Sequence, residues 1–172
     1  DPTLPPNSRA AARKTEGLKQ LIKDKQYRGL IIGIRRDEQS MRAKERVFSP
    51  RNESGNWDHK NQPPEFWDQY KTDFPEGIHL RIHPLLHWSE LDIWRYIERE
   101  NIPCCPLYFS QNGKRYRSLG EKNITLPINS NASTIQEIIQ ELEQTKVSER
   151  EGRTMDKETE DSFEKLRAQG YL

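Results

Sequence analysis

The chain has 172 residues, of which 32% are hydrophobic and 32% are charged, and its formal net charge is +1. This length suits one domain of ordinary size or part of a larger one. No apolar run reaches the length of a membrane span, and the first residues lack the basic and apolar regions of a signal peptide. We therefore expect a cytoplasmic protein with neither a membrane nor a nucleic acid among its partners.

Basic residues are concentrated near the start of the chain. Residues 9–51 contain 13 Lys and Arg against 5 Asp and Glu, whereas residues 132–172 contain 6 against 10. We therefore expect an anion-binding site in the first third. The mean hydropathy of −1.05 and the 11 prolines indicate long surface segments, or surfaces that a partner covers.

The first elements in chain order are a helix and a strand. Residues 9–25 carry apolar side chains at helical spacing among basic ones, which predicts a basic helix. The branched residues at 30–34 predict a strand buried on both faces. Gly33, near the end of that strand, lets the backbone turn close to a ligand, and ligands bind at this edge of an open α/β sheet.

Three arginines follow that strand, at Arg35, Arg36 and Arg42. Planar guanidinium donors suit phosphate or sulfate oxygens, so the cluster predicts a site for a small oxyanion or a nucleotide. The alternative is a solvated loop in which the arginines pair with nearby carboxylates, since charge clusters usually lie at the surface. Those carboxylates are Asp37, Glu38 and Glu45.

The middle of the chain predicts a loop, a strand and a helix. Residues 47–76 are rich in Pro, Asn, Asp, Gly and aromatic residues, which indicates a long loop acting as a lid or docking surface, or a packed surface excursion. A strand is predicted at 79–83. The next helix begins after Ser89, with Asp92 three residues on as its capping partner, and ends near Asn101.

Two arginines follow a predicted turn at residues 111–114. Arg115 and Arg117 lie two residues apart, so an extended segment places both on one side as a second candidate anion clamp. Simple solvation is the alternative. Ser133 with Gln136 predicts a further capping box and helix, and the charged tail beyond residue 145 predicts a solvated helix or an arm laid on another subunit.

The cysteines and histidines give no metal site. Cys104 and Cys105 are adjacent, which is poor geometry for a disulfide and favours two small buried side chains over a redox pair. The four histidines form no zinc-binding pattern, so no metal ligands are assigned.

Together these segments resemble the small subunits of bacterial sulfate adenylyltransferases (ATP sulfurylases), within the phosphoadenosine phosphosulfate reductase family. The likeness covers nearly the whole chain from Lys14 onward. The matching stretches are residues 14–19, residues 33–46 with their Arg-Arg-Asp-Glu core, Trp57-Asp58 with 60–62 and 64–65, and residues 88–103, 106–108, 115–120, 148–153 and 170–171.

The resemblance implies a fold and a division of the chain. The fold is α/β, the C-terminal portion of a doubly wound, mostly parallel sheet like that of the adenine nucleotide alpha hydrolases, followed by a helical or extended tail. Residues 1–103 correspond to the second half of the nucleotide-binding domain, including the loop 47–76. Residues 104–172 correspond to a C-terminal extension with one amphipathic helix and the charged tail.

The resemblance also implies a reaction. A sulfate oxygen attacks the α-phosphate of ATP, releasing pyrophosphate and forming adenosine 5′-phosphosulfate, and a GTPase large subunit drives this uphill step. ATP is a substrate together with Mg²⁺, and no cofactor is tightly bound. The three clustered arginines are the first candidates to hold the anions, while Asp37 and Glu38 orient them or help to hold Mg²⁺. No catalytic residue is assigned.

Several features depart from the family pattern. The Ser-Gly-Gly-Lys-Asp-Ser type loop that cradles the ATP phosphates in this family does not occur in the sequence, so we expect the chain alone to be inactive. Glu121 replaces a cysteine found in many relatives, and no cysteine follows Cys105. Two alternatives therefore stay open: a sulfonucleotide reductase-like protein, opposed by the missing terminal cysteine, and a non-catalytic fragment that binds a nucleotide or acts as a scaffold.

Overall fold

The computed structural model describes residues 6–38, 42, 44–52, 55, 57–58, 60–120, 125–147 and 149. The chain has a mixed α/β structure and divides into two compact units. The first comprises Asp1–Gly33 and Glu45–Leu86, and the second comprises Ile34–Lys44 and His87–Leu172. The domain boundary predicted between residues 103 and 104 lies inside the second unit and stays a prediction. In the described part of the chain, no helix is both long enough and apolar enough to cross a membrane.

Helix α1 spans Pro6–Lys25, so the predicted basic helix is confirmed and begins three residues earlier than residue 9. Proline suits this first helical position because its missing N–H has no partner within the helix there. Lys23 and Lys25 lie in the last turn, where their positive charge is favourable because the end of a helix is the negative end of its dipole. Gln26 follows with a left-handed backbone, φ 50°, which ends the helix.

The first unit contains a three-stranded sheet of β1 (Gly29–Ile31), β2 (Phe48–Arg51) and β3 (His79–Ile82), in the order β1-β3-β2. β1 pairs in parallel with β3, which confirms that these two predicted strands are neighbours. β2 pairs antiparallel with β3. The sheet therefore mixes both kinds of pairing, and its doubly wound arrangement stays a prediction.

Strand β1 is shorter and more exposed than predicted. The strand expected at 30–34 ends at Ile31, whose side chain is 77% exposed, so burial on both faces is wrong for it. Among the described residues, β3 is the only strand that pairs with β1, so β1 lies at the edge of the sheet. The ladder between them ends because the N–H of Ile32 donates to the carbonyl of Ile82, and Pro84, two residues further along, has no N–H to donate in return.

The loop predicted at 47–76 is partly a strand, because β2 occupies its first residues. Its next section packs on β2. The carboxylate of Glu65 accepts from the backbone N–H groups of Val47 and Phe48 at 2.9 and 3.0 Å. The Gln62 side chain accepts from the Ser49 hydroxyl at 2.8 Å. These contacts favour the interpretation of a packed surface excursion for this section, because they tie its side chains to a strand of the sheet.

The second unit contains helices α2 (Glu90–Arg99) and α3 (Ile135–Gln144). The predicted cap of α2 is confirmed, since Ser89 and Asp92 form a reciprocal capping box. The cap of α3 lies one residue later than predicted, on Thr134 and Glu137 in place of Ser133 and Gln136. The physical reason is the charge of Glu137, whose carboxylate accepts from the N–H groups of both Ser133 and Thr134.

The core of the second unit lies where these helices meet. Its buried members are Trp94, Ala132, Ile138, Ile139 and Leu142. The second unit also contains an antiparallel pair of short strands, β4 (Lys114–Arg115) and β5 (Ile128–Asn129). The turn predicted at 111–114, just before β4, is confirmed by the left-handed backbone of Asn112 and Gly113. The predicted burial of the cysteines is wrong, because Cys104 is half-buried and Cys105 exposed. Both lie in the loop between α2 and a short turn at Pro106–Tyr108, where the half-buried Cys104 packs against the core.

Candidate functional site

The predicted arginine cluster begins with Arg35, which carboxylates surround in the second unit. Its side chain is 9% exposed. The Nε atom donates to Oδ1 of Asp37 at 2.9 Å, and the backbone N–H donates to Oε1 of Glu38 at 3.2 Å. The guanidinium also pairs with the carboxylate of Glu149, which lies 114 residues away along the chain. Arg35 is therefore held in place from three directions.

Asp37 joins this cluster to the start of α2. Its Oδ2 atom accepts from the backbone N–H of Glu90 at 2.6 Å. A negative charge is favourable at this position because the start of a helix is the positive end of its dipole. The side chain of Glu90 in turn accepts from Arg117, at 3.0 Å from Nε to Oε1 and 2.7 Å from Nη2 to Oε2. Such a two-point contact fixes the plane of the guanidinium as well as its position. Arg117 also donates from Nη1 to the carbonyl oxygen of Val147 at 2.7 Å.

Arg36 and Arg42 have different neighbours. Arg36 lies in a single 3-10 turn, Arg36–Glu38, and its Nη1 lies 2.9 Å from Nδ1 of His87. Arg42 pairs with Glu38, with 2.8 Å between Nη1 and Oε2. Arg35 therefore precedes this turn, Arg36 lies in it, and Arg42 pairs with its last residue. Arg35 and Arg42 contact the carboxylates Asp37 and Glu38, and the binding of an oxyanion by the three arginines stays a prediction.

Arg115 lies apart from that network. Its side chain is 0% exposed and donates to Oε1 of Glu141 at 2.6 Å and to Oγ of Ser130 at 3.2 Å. Arg115 thus holds α3, whereas Arg117 holds α2. Simple solvation is wrong for both, because each guanidinium is buried against a helix carboxylate. Their role in binding an oxyanion stays a prediction.

The network around Arg35 has an excess of negative charge, and the pKa directions reflect it. Burial raises the pKa of Glu149, and Glu90 and Glu38 raise it further, against the opposing effect of Arg35. Burial lowers the pKa of Arg35, but its carboxylate neighbours outweigh that effect and the net direction is upward. Both groups therefore hold protons more strongly than usual, as expected in a negative field.

Gly33 lies at the end of the first unit. Its backbone is outside the left-handed region, and a Cβ atom there would meet only the Leu85 side chain, at 3.9 Å. The fold described so far does not require glycine at this position. The close approach of a ligand to Gly33 stays a prediction.

The question of a metal concerns Asp37 and Glu38. Within the part of the chain that the structure describes, no group of three or more His, Cys, Asp and Glu side chains is arranged to hold a metal ion. Both carboxylates instead contact guanidinium or N–H groups of the network. These contacts support the role of orienting the arginines, and a role in holding Mg²⁺ stays a prediction.

Sequence reasoning missed two residues of the network, Glu90 and Glu149. Glu90 follows the cap residue Ser89, and Glu149 lies in the stretch 148–153 that carries part of the family resemblance. The other residues of that stretch lie outside the described part of the chain. The sequence did contain a signal for such partners, because an arginine that becomes buried requires a carboxylate beside it. The sequence alone does not say which distant carboxylate packs against which arginine.

Comparisons with known proteins identify the family of the chain. The model of the phosphoadenosine phosphosulfate reductase domain matches residues 6–127. Curated relatives named sulfate adenylyltransferase subunit 2 include those of Sulfurimonas denitrificans (39% identical), Trichlorobacter lovleyi (41%) and Marinomonas sp. (41%). Each comparison covers 92% of this chain and 62% of the relative, so the chain spans less than two thirds of their length. Because the family model matches well over half of its residues, the chain belongs to the phosphoadenosine phosphosulfate reductase domain family.

Proposed function

We propose that this chain works in adenylyl transfer from ATP to sulfate, as part of a sulfate adenylyltransferase. The observation that carries the proposal is the identity of 38–41% over 92% of the chain with proteins named sulfate adenylyltransferase subunit 2. The word "subunit" in those names supports a heteromeric enzyme. We infer that the partner is a GTPase large subunit, and that Mg²⁺ accompanies ATP.

The reaction determines what the protein must supply. A sulfate oxygen forms a bond to the α-phosphorus of ATP, the bond from that phosphorus to the bridging oxygen breaks, and pyrophosphate leaves with the electron pair. No electron is gained or lost by the protein. Catalysis therefore consists of holding two anions together and stabilising the charge on the leaving group.

The network supports a division of labour among the arginines. Arg35 and Arg117 are positioning residues, because buried carboxylates hold their guanidinium groups. Arg36 lies between Arg35 and Asp37, both of which are anchored, so the turn presents it in a fixed place. Arg36 is thus our first candidate for contact with the ATP phosphates or with sulfate, and Arg42 is the second.

The reaction is tested by sulfate-dependent release of pyrophosphate from ATP, measured on the chain joined to a phosphate-loop segment and supplied with the GTPase subunit. We expect release that requires sulfate and produces adenosine 5′-phosphosulfate. Formation of sulfite from a sulfonucleotide and a thiol would instead support the reductase that the family model is named for. Binding of ATP without turnover in the full complex would support a scaffold.

The site is tested by Arg36→Ala in the same complex. Charge-assisted contacts to a phosphate contribute about 1.5 to 3 kcal/mol each, so we expect binding of ATP or sulfate to weaken about ten-fold or more in calorimetry. The matched control is Arg95→Ala, an exposed arginine of the same unit that pairs with Glu143. Equal affinities for the two variants would remove Arg36 from the site.

A further inference from the structure

One face of the sheet in the first unit collects positive charge. The register of β2 against β3 places Ser49 opposite Arg81 and Arg51 opposite His79, so these four side chains share a face. Arg51 donates to Oγ of Ser49 at 2.7 Å and to Oε1 of Glu45 at 3.2 Å. Glu45 is thus the carboxylate that forms an ion pair with Arg51 on this face.

Arg81 differs from Arg35 and Arg117 of the other unit, which carboxylates hold. No carboxylate within the described residues forms an ion pair with it, and its Nε atom is buried without a hydrogen-bond partner. The Nε2 atom of His79, next to it on the same strand face, is also buried without a partner. Buried polar atoms are almost always hydrogen-bonded in folded proteins. The Nε of Arg81 is a donor, and the Nε2 of His79 is a donor in the protonated imidazole, so these two atoms side by side indicate a missing acceptor.

The neighbouring charges repel one another. Burial lowers the pKa of Arg81, and Arg51 lowers it further, with Glu45 opposing. Burial, then Arg81 and then Arg51, lower the pKa of His79. One carboxylate, Glu45, therefore acts on two guanidinium groups, and no carboxylate acts on the His79 imidazole among the described residues. Binding of an anion here would satisfy the donors and remove the repulsion between them.

We propose that this face binds a tetrahedral oxyanion, a sulfate or phosphate group, between Arg81, Arg51 and His79. Guanidinium groups suit the oxygens of such an anion because their N–H donors lie in one plane at fixed angles. The inference does not rest on the proposed function. It concerns residues of the first unit, and its test measures binding in place of turnover.

The test is calorimetric titration of the 172-residue protein with sodium sulfate, sodium phosphate or AMP, at constant ionic strength. We expect Arg81→Gln to weaken binding about ten-fold or more, because it removes a charge-assisted contact. The control is Arg99→Gln, which removes an exposed arginine that pairs with its neighbour Glu100. Binding of the inorganic anions identifies a site for the free oxyanion, and binding of AMP alone identifies a nucleotide phosphate. Equal affinity of the two variants for all three probes would overturn the proposal.

A second measurement does not depend on how Arg81→Gln folds. In the wild-type protein, sulfate held against His79 raises the pKa of that imidazole, because a bound anion favours the charged form and opposes burial, Arg81 and Arg51, which lower the pKa. We expect the His79 resonance, assigned with His79→Gln, to titrate at higher pH in the presence of sulfate or phosphate. A resonance that neither anion shifts would also overturn the proposal.

Discussion

Glu90 shows at the scale of one residue how the second unit uses its buried charges. Its carboxylate holds the two-point contact with Arg117, and both side chains are about 10% exposed or less. Its backbone N–H at the same time donates to Asp37. A single residue therefore connects the start of α2 to two other segments. Removal of one partner of such a pair leaves a buried charge without compensation.

We expect Glu90→Gln to lower the free energy of unfolding by about 3 to 5 kcal/mol, because the guanidinium of Arg117 stays buried after its counter-charge is lost. The measurement is urea denaturation at neutral pH. Glu98→Gln on the same helix is the control, since Glu98 is exposed and its change is expected to stay within about 0.5 kcal/mol. A loss for Glu90→Gln as small as that of the control would contradict this account of the pair.

The raised pKa of Glu149 gives a pH dependence. The folded chain binds a proton at Glu149 more strongly than the unfolded chain, so this group adds stability as the pH falls from neutral through its folded-state pKa. The gain is complete below its ordinary value of 4.5. Glu149→Gln binds no such proton. We therefore expect the unfolding free energy of the wild type, relative to the variant, to increase between pH 7 and about pH 5, measured by urea denaturation. A constant difference would show that burial does not shift this carboxyl group.

At the scale of elements, two glycines have opposite roles. Gly113 lies in the turn before β4 with φ 75°, a conformation that side chains with a Cβ adopt only at a cost. Gly17 lies inside α1, and a Cβ added there meets nothing within 4 Å. The backbone thus requires glycine at the turn and gains nothing from it in the helix.

We expect Gly113→Ala to destabilise the protein by about 1 to 2 kcal/mol, and Gly17→Ala to stabilise it by about 0.5 to 1 kcal/mol. Both are measured by thermal and urea denaturation of otherwise identical chains, so each variant serves as the control for the other. Effects of the same sign would mean that the turn at 111–114 or helix α1 differs from the structure described here.

At the scale of the whole molecule, we expect the proposed activity to require a phosphate-binding loop. Stabilising a departing pyrophosphate calls for the backbone N–H groups of a glycine-rich loop, and the sequence has no Ser-Gly-Gly-Lys-Asp-Ser segment. We expect the 172-residue chain alone to release no pyrophosphate from ATP and sulfate above background. Robust sulfate-dependent turnover by the chain alone would mean that other residues build the phosphate site.

Much of the local structure follows from the sequence, as the helices and one turn show. Helices α1 and α2 and the turn before β4 lie where periodicity, capping and turn residues predict them. The cap of α3 lies one residue later than predicted because the charged carboxylate of Glu137 is a stronger hydrogen-bond acceptor than the neutral amide of Gln136. These features depend on residues within about four positions of one another, so the chain carries their determinants side by side.

The sequence by itself determined the helices, the family resemblance and the gathering of arginines after the first strand. Only the tertiary structure decided that Arg35 meets Glu149, that Arg117 meets Glu90, and that Ile31 stays exposed. The physical reason is that burial and ion pairing depend on which distant segments pack together. Glu90 and Arg117 are 27 positions apart, and Arg35 and Glu149 are 114 positions apart, so no local pattern specifies either contact.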